Sequence, residues 1–297
     1  MIYEPPGYVT DRILLLGRKE SCVYILKGKE HYALVGGGMV HIVPDVMEQL
    51  KEYEIEEHRI QRILILHSHF DHCGIVPFFK KRWPWAVITA SERARELLSA
   101  PRVIETIETL NRMIISKYGR EKEAERLGLS FSGITVEAVV GEDDRLCCGD
   151  LAMEIVAVPG HSSCSIAMYV PEQKAIFASD AAGIPYGNHI LTAANSNFDQ
   201  YMESLKKIAS YEIEVMLAEH FGARTGEDAR RFIAKSKDSA VKTRQMLENS
   251  FRRTQDERKS VKEVTDRLML NAPEGFLPRE VIALVVGQMI RYIAKGM

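Results

Sequence analysis

One stretch constrains this chain more than any other. The apolar run at residues 63–66 passes directly into His67-Ser68-His69-Phe70-Asp71-His72-Cys73-Gly74. Four metal-ligating side chains fall within six positions, although the whole 297-residue chain holds only nine histidines, so the clustering is not that of scattered residues. In extended backbone, residues two apart share a face, so His67 and His69 can address one ion together. The turn that follows can swing Asp71 and His72 toward a neighbouring ion, and Gly74 permits a tight bend into the next helix. Imidazoles with a carboxylate at a strand end suit zinc, iron or manganese.

The flanking pattern supplies the frame. Short β-rich runs at 13–16, 22–26 and 32–35, divided by turn residues, read as an antiparallel meander. Pro44 opens a helix carrying Met47, Leu50 and Tyr53, and 62–66 is the strand that delivers the chain to His67. A strand at 86–90 follows, then Ser91 as the N-cap of a helix reaching Ser99. Pro101 restarts the chain, and Val103, Ile107, Leu110, Ile114 and Tyr118 mark one helical face, so a helical insertion is expected over about 101–128. Strands return at 134–140, 153–158, 166–170 and 175–178, and a last one at 214–218 ends at His220. Between them, Asn197 with Gln200 forms a capping pair for a helix. From 226 onward everything reads as helical, and Ile282, Val285, Met289 and Ile293 make one stripe on the final helix.

Composition excludes several classes. Hydrophobic residues at 46% and charged residues at 27% are those of a globular protein with a sizeable core. The longest apolar runs, such as 282–286, fall far short of the roughly 18 residues of a membrane span. No secretory leader is visible at the N-terminus, which makes the cytoplasm the expected location. Five cysteines without a CxxC pair argue against a disulfide framework. The net charge of -2 is uneven: residues 1–220 hold 23 Lys and Arg against 31 Asp and Glu, whereas 221–297 hold 16 against 10. A basic tail could attract an anionic substrate or RNA, but it lacks the interleaved aromatic residues of a single-strand platform.

The 67–72 cluster, with Pro159-Gly160-His161-Ser162, Phe177-Ala178-Ser179-Asp180 and Ala218-Glu219-His220-Phe221-Gly222 behind it, resembles the metallo-β-lactamase superfamily over approximately residues 8–222. The resemblance implies an α/β fold, a four-layer αββα sandwich with a binuclear centre at one edge of its sheets. It places His67, His69 and His161 on a first ion and Asp71, His72 and His220 on a second, with Asp180 bridging both. Residues 1–222 would form the catalytic domain and 223–297 a helical extension. Two departures stand out. Many members carry Asp after the strand that here ends Val35-Gly36-Gly37-Gly38, so a partner for the histidines is missing, and the glycines read as a plain turn beside the site. The best-known true β-lactamases have Arg at the position of His72 and Cys at that of Asp180, so antibiotic hydrolysis is not the expected role.

The expected function is a binuclear metal-dependent hydrolase, using a metal-bridging hydroxide on a small-molecule ester, thioester or lactone. Two divalent ions are expected, zinc first, with iron or manganese as alternatives. Asp71 can orient the nucleophilic water or carry its proton, and Tyr186 and His189, in the loop after Asp180, are candidates to face the substrate. Cys73 and Cys164 read as packing beside the site. The helical insertion and tail are expected to wall the pocket. Phosphodiester or RNA cleavage is one alternative, and a flavodiiron-like or dioxygenase-like iron oxidoreductase is another. The apolar stripes of the tail are compatible with a homodimer.

Overall fold

The computed structural model describes residues 1–186, 189–270 and 278–296, apart from the side chain of Tyr186. A first strand, β1 (Ile2–Tyr3), is followed by the meander β2 (Gly7–Thr10), β3 (Ile13–Arg18), β4 (Ser21–Lys27) and β5 (Tyr32–Val35). Helix α1 (Val43–Glu52) leads to β6 (Ile60–Leu64), and α2 (Val76–Arg82) leads to β7 (Val87–Ser91). Helix α3 (Glu92–Ser99) follows, the insertion consists of α4 (Pro101–Lys117) and α5 (Glu121–Leu127), and β8 (Ala138–Val140) then closes the first sheet. Its order is β2-β3-β4-β5-β6-β7-β8, antiparallel up to β5 and parallel beyond it.

The second half supplies β9 (Arg145–Cys148), β10 (Leu151–Ala157), β11 (Ile166–Val170), β12 (Ala175–Phe177), the small hairpin β13 (Ile184–Tyr186) and β14 (His189–Leu191), α6 (Phe198–Ile208), β15 (Val215–Leu217) and β16 (Ala223–Thr225). The second sheet runs β1-β16-β15-β12-β11-β10-β9. Helices α7 (Glu227–Thr254), α8 (Glu257–Met269) and α9 (Arg279–Lys295) end the chain. The αββα sandwich with its helical insertion and C-terminal helices is therefore as the sequence led us to expect.

Alternation explains both the layers and the unbroken apolar runs. Ile13, Leu15, Tyr24, Leu26 and Leu64 face Met153, Ile155, Met168, Phe177 and Leu217 between the sheets. Their neighbours Leu14, Leu16, Ile25, Leu34 and Ile63 point outward under α1, α2 and the insertion. A strand buried on both faces reads as continuous hydrophobicity rather than period two. On the outer face of the second sheet, Phe232 and Ile233 of α7 pack over Val156, Ile176 and Met216.

Two segments differ from expectation. Only Ala138–Val140 of 134–140 is a strand, because Phe131, Ile134 and Val136 bury themselves against the insertion helices and not in a ladder. The extension expected over 223–297 opens on a strand, β16, whose Ala223 pairs with Leu217 and with Tyr3, before the helices begin at Glu227.

Candidate metal centre

The first sheet hands its cluster to the gap between the sheets. Beyond β6, the Ile65 N–H still bonds to the Thr89 carbonyl at 2.9 Å, while the Leu66 carbonyl accepts from Ile166 N–H of the opposite sheet at 2.9 Å. This double anchorage fixes the backbone before His67, which is buried. A single 3-10 turn over Phe70–His72 follows, closed by the His72 N–H donating to the His69 carbonyl at 3.0 Å. Gly74 then passes so close to the β5–α1 loop that a Cβ there would lie 2.5 Å from the Val40 nitrogen.

The distant residues arrive at the same point. His67 Nε2, His69 Nδ1 and His161 Nε2 lie 3.0 to 3.2 Å from one another. Ligands at about 2.1 Å around a tetrahedral ion sit about 3.4 Å apart, so these three ring nitrogens already approximate the face of such a site. Alongside, His72 Nε2 and His220 Nε2 are 3.1 Å apart, and Asp71 Oδ2 is 3.6 Å from the first and 3.5 Å from the second. Asp180 stands between the groups: its Oδ2 is 3.2 Å from His72 Nε2 and 3.5 Å from His161 Nε2, and its Oδ1 is 3.7 Å from His220 Nε2. Each group of three could hold a metal ion, and all seven residues singled out in the sequence converge.

Charge divides the two groups. Burial, reinforced by the neighbouring imidazoles, pushes His67 well below its ordinary value and His69 down to about 3, and burial lowers His161 as well. Burial would also lower His72, but Asp180, Glu219 and Asp71 outweigh it and raise that imidazole. Asp180 and the Asp71 hydrogen bond likewise raise His220. Burial opposes ionisation of Asp71 and Asp180, yet the histidines beside them hold both carboxyls below the usual range.

The outer ring nitrogens are held as carefully as the inner ones. His161 Nδ1 donates to the Ala193 carbonyl and His220 Nδ1 to the Glu20 carbonyl, each at 2.7 Å. His72 Nδ1 lies 3.0 Å from Glu219 Oε2, and Ser179 Oγ, which donates to the same carboxylate, is 3.2 Å from His67 Nδ1. Glu219 is the functional residue that sequence reasoning missed. Its carboxylate lies against the glycine turn after β5, where a Cβ on Gly36 would come within 2.5 Å of Oε1, and it accepts the Gly37 N–H at 3.3 Å. The carboxylate missing from the end of β5 is thus supplied from the end of β15, and the glycines make room for it. His67, His72 and Glu219 could also be read as a third ion group. Ser179 Oγ fills the space between them, so they form a hydrogen-bond network instead.

A cavity of about 520 Å³ opens directly over the centre, with His69, Asp71, His161 and Asp180 in its lining. Helix α4 of the insertion and α9 of the tail wall it, as expected. His189 is exposed on β14 and is not among the lining residues, whereas the side chain of Tyr186 lies outside the described residues. Cys73 and Cys164 are buried; Cys164 Sγ packs 3.3 Å from Ser68 Oγ and 3.2 Å from Ser162 Oγ, and neither thiol joins a ligand group among the described residues.

Fold and cluster together define a two-sheet sandwich with a buried His/Asp site that could hold metal ions. The chain belongs to the metallo-β-lactamase superfamily, whose family model matches residues 17–220. Among solved structures, it is similar to a metallo-β-lactamase family protein from Thermus thermophilus, at 18% identity and a TM-score of 0.68, covering 97% of this chain and 95% of that one. An archaeal superfamily protein from Sulfolobus tokodaii shares 16% identity with a TM-score of 0.59, covering 98% and 97%. The subclass B3 metallo-β-lactamase BJP-1 of Bradyrhizobium japonicum shares 21% identity with a TM-score of 0.59, covering 83% and 94%. At these identities the likeness is one of fold. Among the described residues no helix is long and apolar enough to cross a membrane.

Proposed function

We propose that the protein is a binuclear metal-dependent hydrolase acting on a small-molecule ester, thioester or lactone, with zinc as the first choice of metal. The observation that carries this reading is the convergence of seven candidate ligand side chains at one point, four of which, His69, Asp71, His161 and Asp180, line the cavity above it. His67, His69 and His161 would hold one ion, Asp71, His72 and His220 the other, and Asp180 would reach both. When bound, such ions would supply an activated water and polarise the substrate oxygen. Asp71, an ionised carboxylate facing the cavity, would orient that water and accept its proton, to pass it to the leaving group. Glu219 and Ser179 keep the His72 and His67 rings turned toward the centre.

Residues 1–222 carry the centre in this reading, and 223–297 complete its pocket. A small substrate is favoured over RNA because five arginines of the tail already face carboxylates: Arg230 and Arg244 pair with Glu214 and Asp199 of residues 1–222, and Arg253, Arg279 and Arg291 with acids of the tail itself. The test is to purify the protein without added metal, measure its metal content, and assay ester, thioester and lactone substrates. His69→Ala is expected to lose metal and turnover while keeping the fold. Undiminished hydrolysis in that variant would overturn the proposal.

A further inference from the structure

Helix α9 carries two apolar stripes. Ile282, Val286, Met289, Ile290 and Ile293 are buried against α6, α7 and α8. Val281, Leu284 and Val285, at helical spacing, line the cavity above the candidate metal centre; Val285 at the seam also packs against the core, whereas Leu284 is 60% exposed. Across that cavity, α4 presents a matching stripe of Val103, Ile107 and Leu110. Beyond the ligand residues, Arg102 is the one charged side chain in the lining among the described residues. At about 520 Å³ the space is of the size that holds a small ligand. Its mixed lining, with charged ligands at one end and aliphatic walls at the other, separates a reacting group from an apolar remainder.

We infer that the substrate carries an apolar aliphatic chain of medium length, seated between α4 and α9, and that the tail helix selects it. This rests on the hydrolase reading for its chemistry, while the seat itself is read from the two facing stripes. An apolar chain is the occupant they fit, because it would cover the aliphatic side chains of Val103, Leu110, Leu284 and Val285. The wall formed by α9 lies outside residues 17–220, the part matched by the family model, so selectivity is added to the shared fold by the tail.

The test uses the full-length protein with its native metal and a series of aryl esters from acetyl to dodecanoyl. Each added methylene is expected to raise kcat/KM about fourfold until the seat is full, the ratio equivalent to ~0.8 kcal/mol per buried methylene. Leu284→Gln should flatten that slope, with metal content serving as the check that the variant has folded. In parallel, calorimetry should show decanoate binding at least about 100-fold more tightly than butyrate to the wild-type protein, and that ratio should shrink in Leu284→Gln. Hydrolysis with no dependence on chain length overturns the seat and leaves the hydrolase reading standing. A slope untouched by Leu284→Gln overturns selection by α9. If no ester is hydrolysed, and the matching thioesters and lactones are not either, the hydrolase reading fails and calorimetry decides the seat: equal affinity for the two acids refutes it. Conversion of a dimer to a monomer by Leu284→Gln, with no change in the decanoate-to-butyrate ratio, would assign the stripe to a second copy of the chain and also refute it.

Discussion

Replacing Glu219 by Gln keeps the shape of the side chain and removes its charge, which isolates what the carboxylate does. Glu219 is 1% exposed at its side chain and accepts from three donors: His72 Nδ1 at 3.0 Å, the Ser179 hydroxyl, and the Gly37 N–H at 3.3 Å. A carboxamide has one accepting oxygen. If that oxygen serves His72 and Ser179, the amide nitrogen meets the Gly37 N–H, donor against donor; if the amide is flipped, His72 loses its acceptor. Either way, one buried donor goes unpaired, at about 1–3 kcal/mol of stability. The imidazole held by Glu219 is less well oriented and less basic, and the loss of such an outer partner typically lowers ion affinity about 10- to 100-fold. That corresponds to roughly 1.4–2.8 kcal/mol of binding free energy. The assay is competition for zinc with a chromophoric chelator, resolving the two binding steps. Glu219→Gln is expected to weaken the step that uses His72 more than the one that uses His69 and His161. Two binding constants within twofold of wild type would show that the carboxylate does not position the ligand and would refute the reasoning.

Three further outcomes follow from the same geometry. Ser179 holds a left-handed backbone, with φ at 48°, while its hydroxyl bridges Glu219 and His67, so Ser179→Gly should relieve backbone strain yet weaken metal binding; chemical denaturation of the metal-free variant should show little lost stability beside a lowered zinc affinity. Glu20 is expected to make stability acid-sensitive. Burial opposes its ionisation, but the His41 hydrogen bond and the charges of His41 and Arg18 bring its carboxyl down from 4.5 to about 2. A depressed folded pKa stabilises above the unfolded value and is lost as pH falls through the folded one, so the stability gap between wild type and Glu20→Gln should be full above about pH 4.5 and close toward pH 2; a gap constant with pH in urea titrations contradicts this. Deleting residues 226–297 strips Phe232 and Ile233 from the outer face of the second sheet, each worth about 1.5–3 kcal/mol of burial, and should yield an insoluble or partly folded product on expression, where a soluble, cooperatively melting fragment would argue otherwise.

How much of this was legible in the sequence depends on the distance over which each signal acts. His67, His69, Asp71 and His72 fall within six positions and follow an apolar strand, so local rules alone mark them as candidate metal ligands. His161, Asp180 and His220 became candidates only through the family pattern, since nothing in their own surroundings ties them to residue 67. On α9, Val285 packs against the core with Ile282, Met289 and Ile293, as their shared stripe implied, but it also borders the cavity beside Leu284. Periodicity identifies which residues share a helix face, and cannot tell a face covered by protein from one left for a ligand. Residues 134–140 misled in the same way, because alternate burial against helices imitates alternate burial in a sheet.

Glu219 shows where the missing information lay. Two observations were present in the sequence as separate oddities: a strand end, Val35-Gly36-Gly37-Gly38, lacking its usual carboxylate, and an acidic residue set between Ala218 and His220 in an apolar strand end. Neither is informative alone, since glycines make turns and a glutamate beside a ligand is ordinarily exposed. Only the parallel pairing of β12 with β15, which carries Ala218 to His220 past the end of β12 and in toward the turn after β5, makes them halves of one arrangement. A side chain at Gly36 would expel the carboxylate, and removal of the carboxylate would leave the His72 ring without its acceptor. The two positions are therefore expected to be energetically coupled. Gly36→Ala and Glu219→Gln should each weaken zinc binding, and the double variant should lose less than the sum of the two, because the first substitution already displaces the group that the second alters.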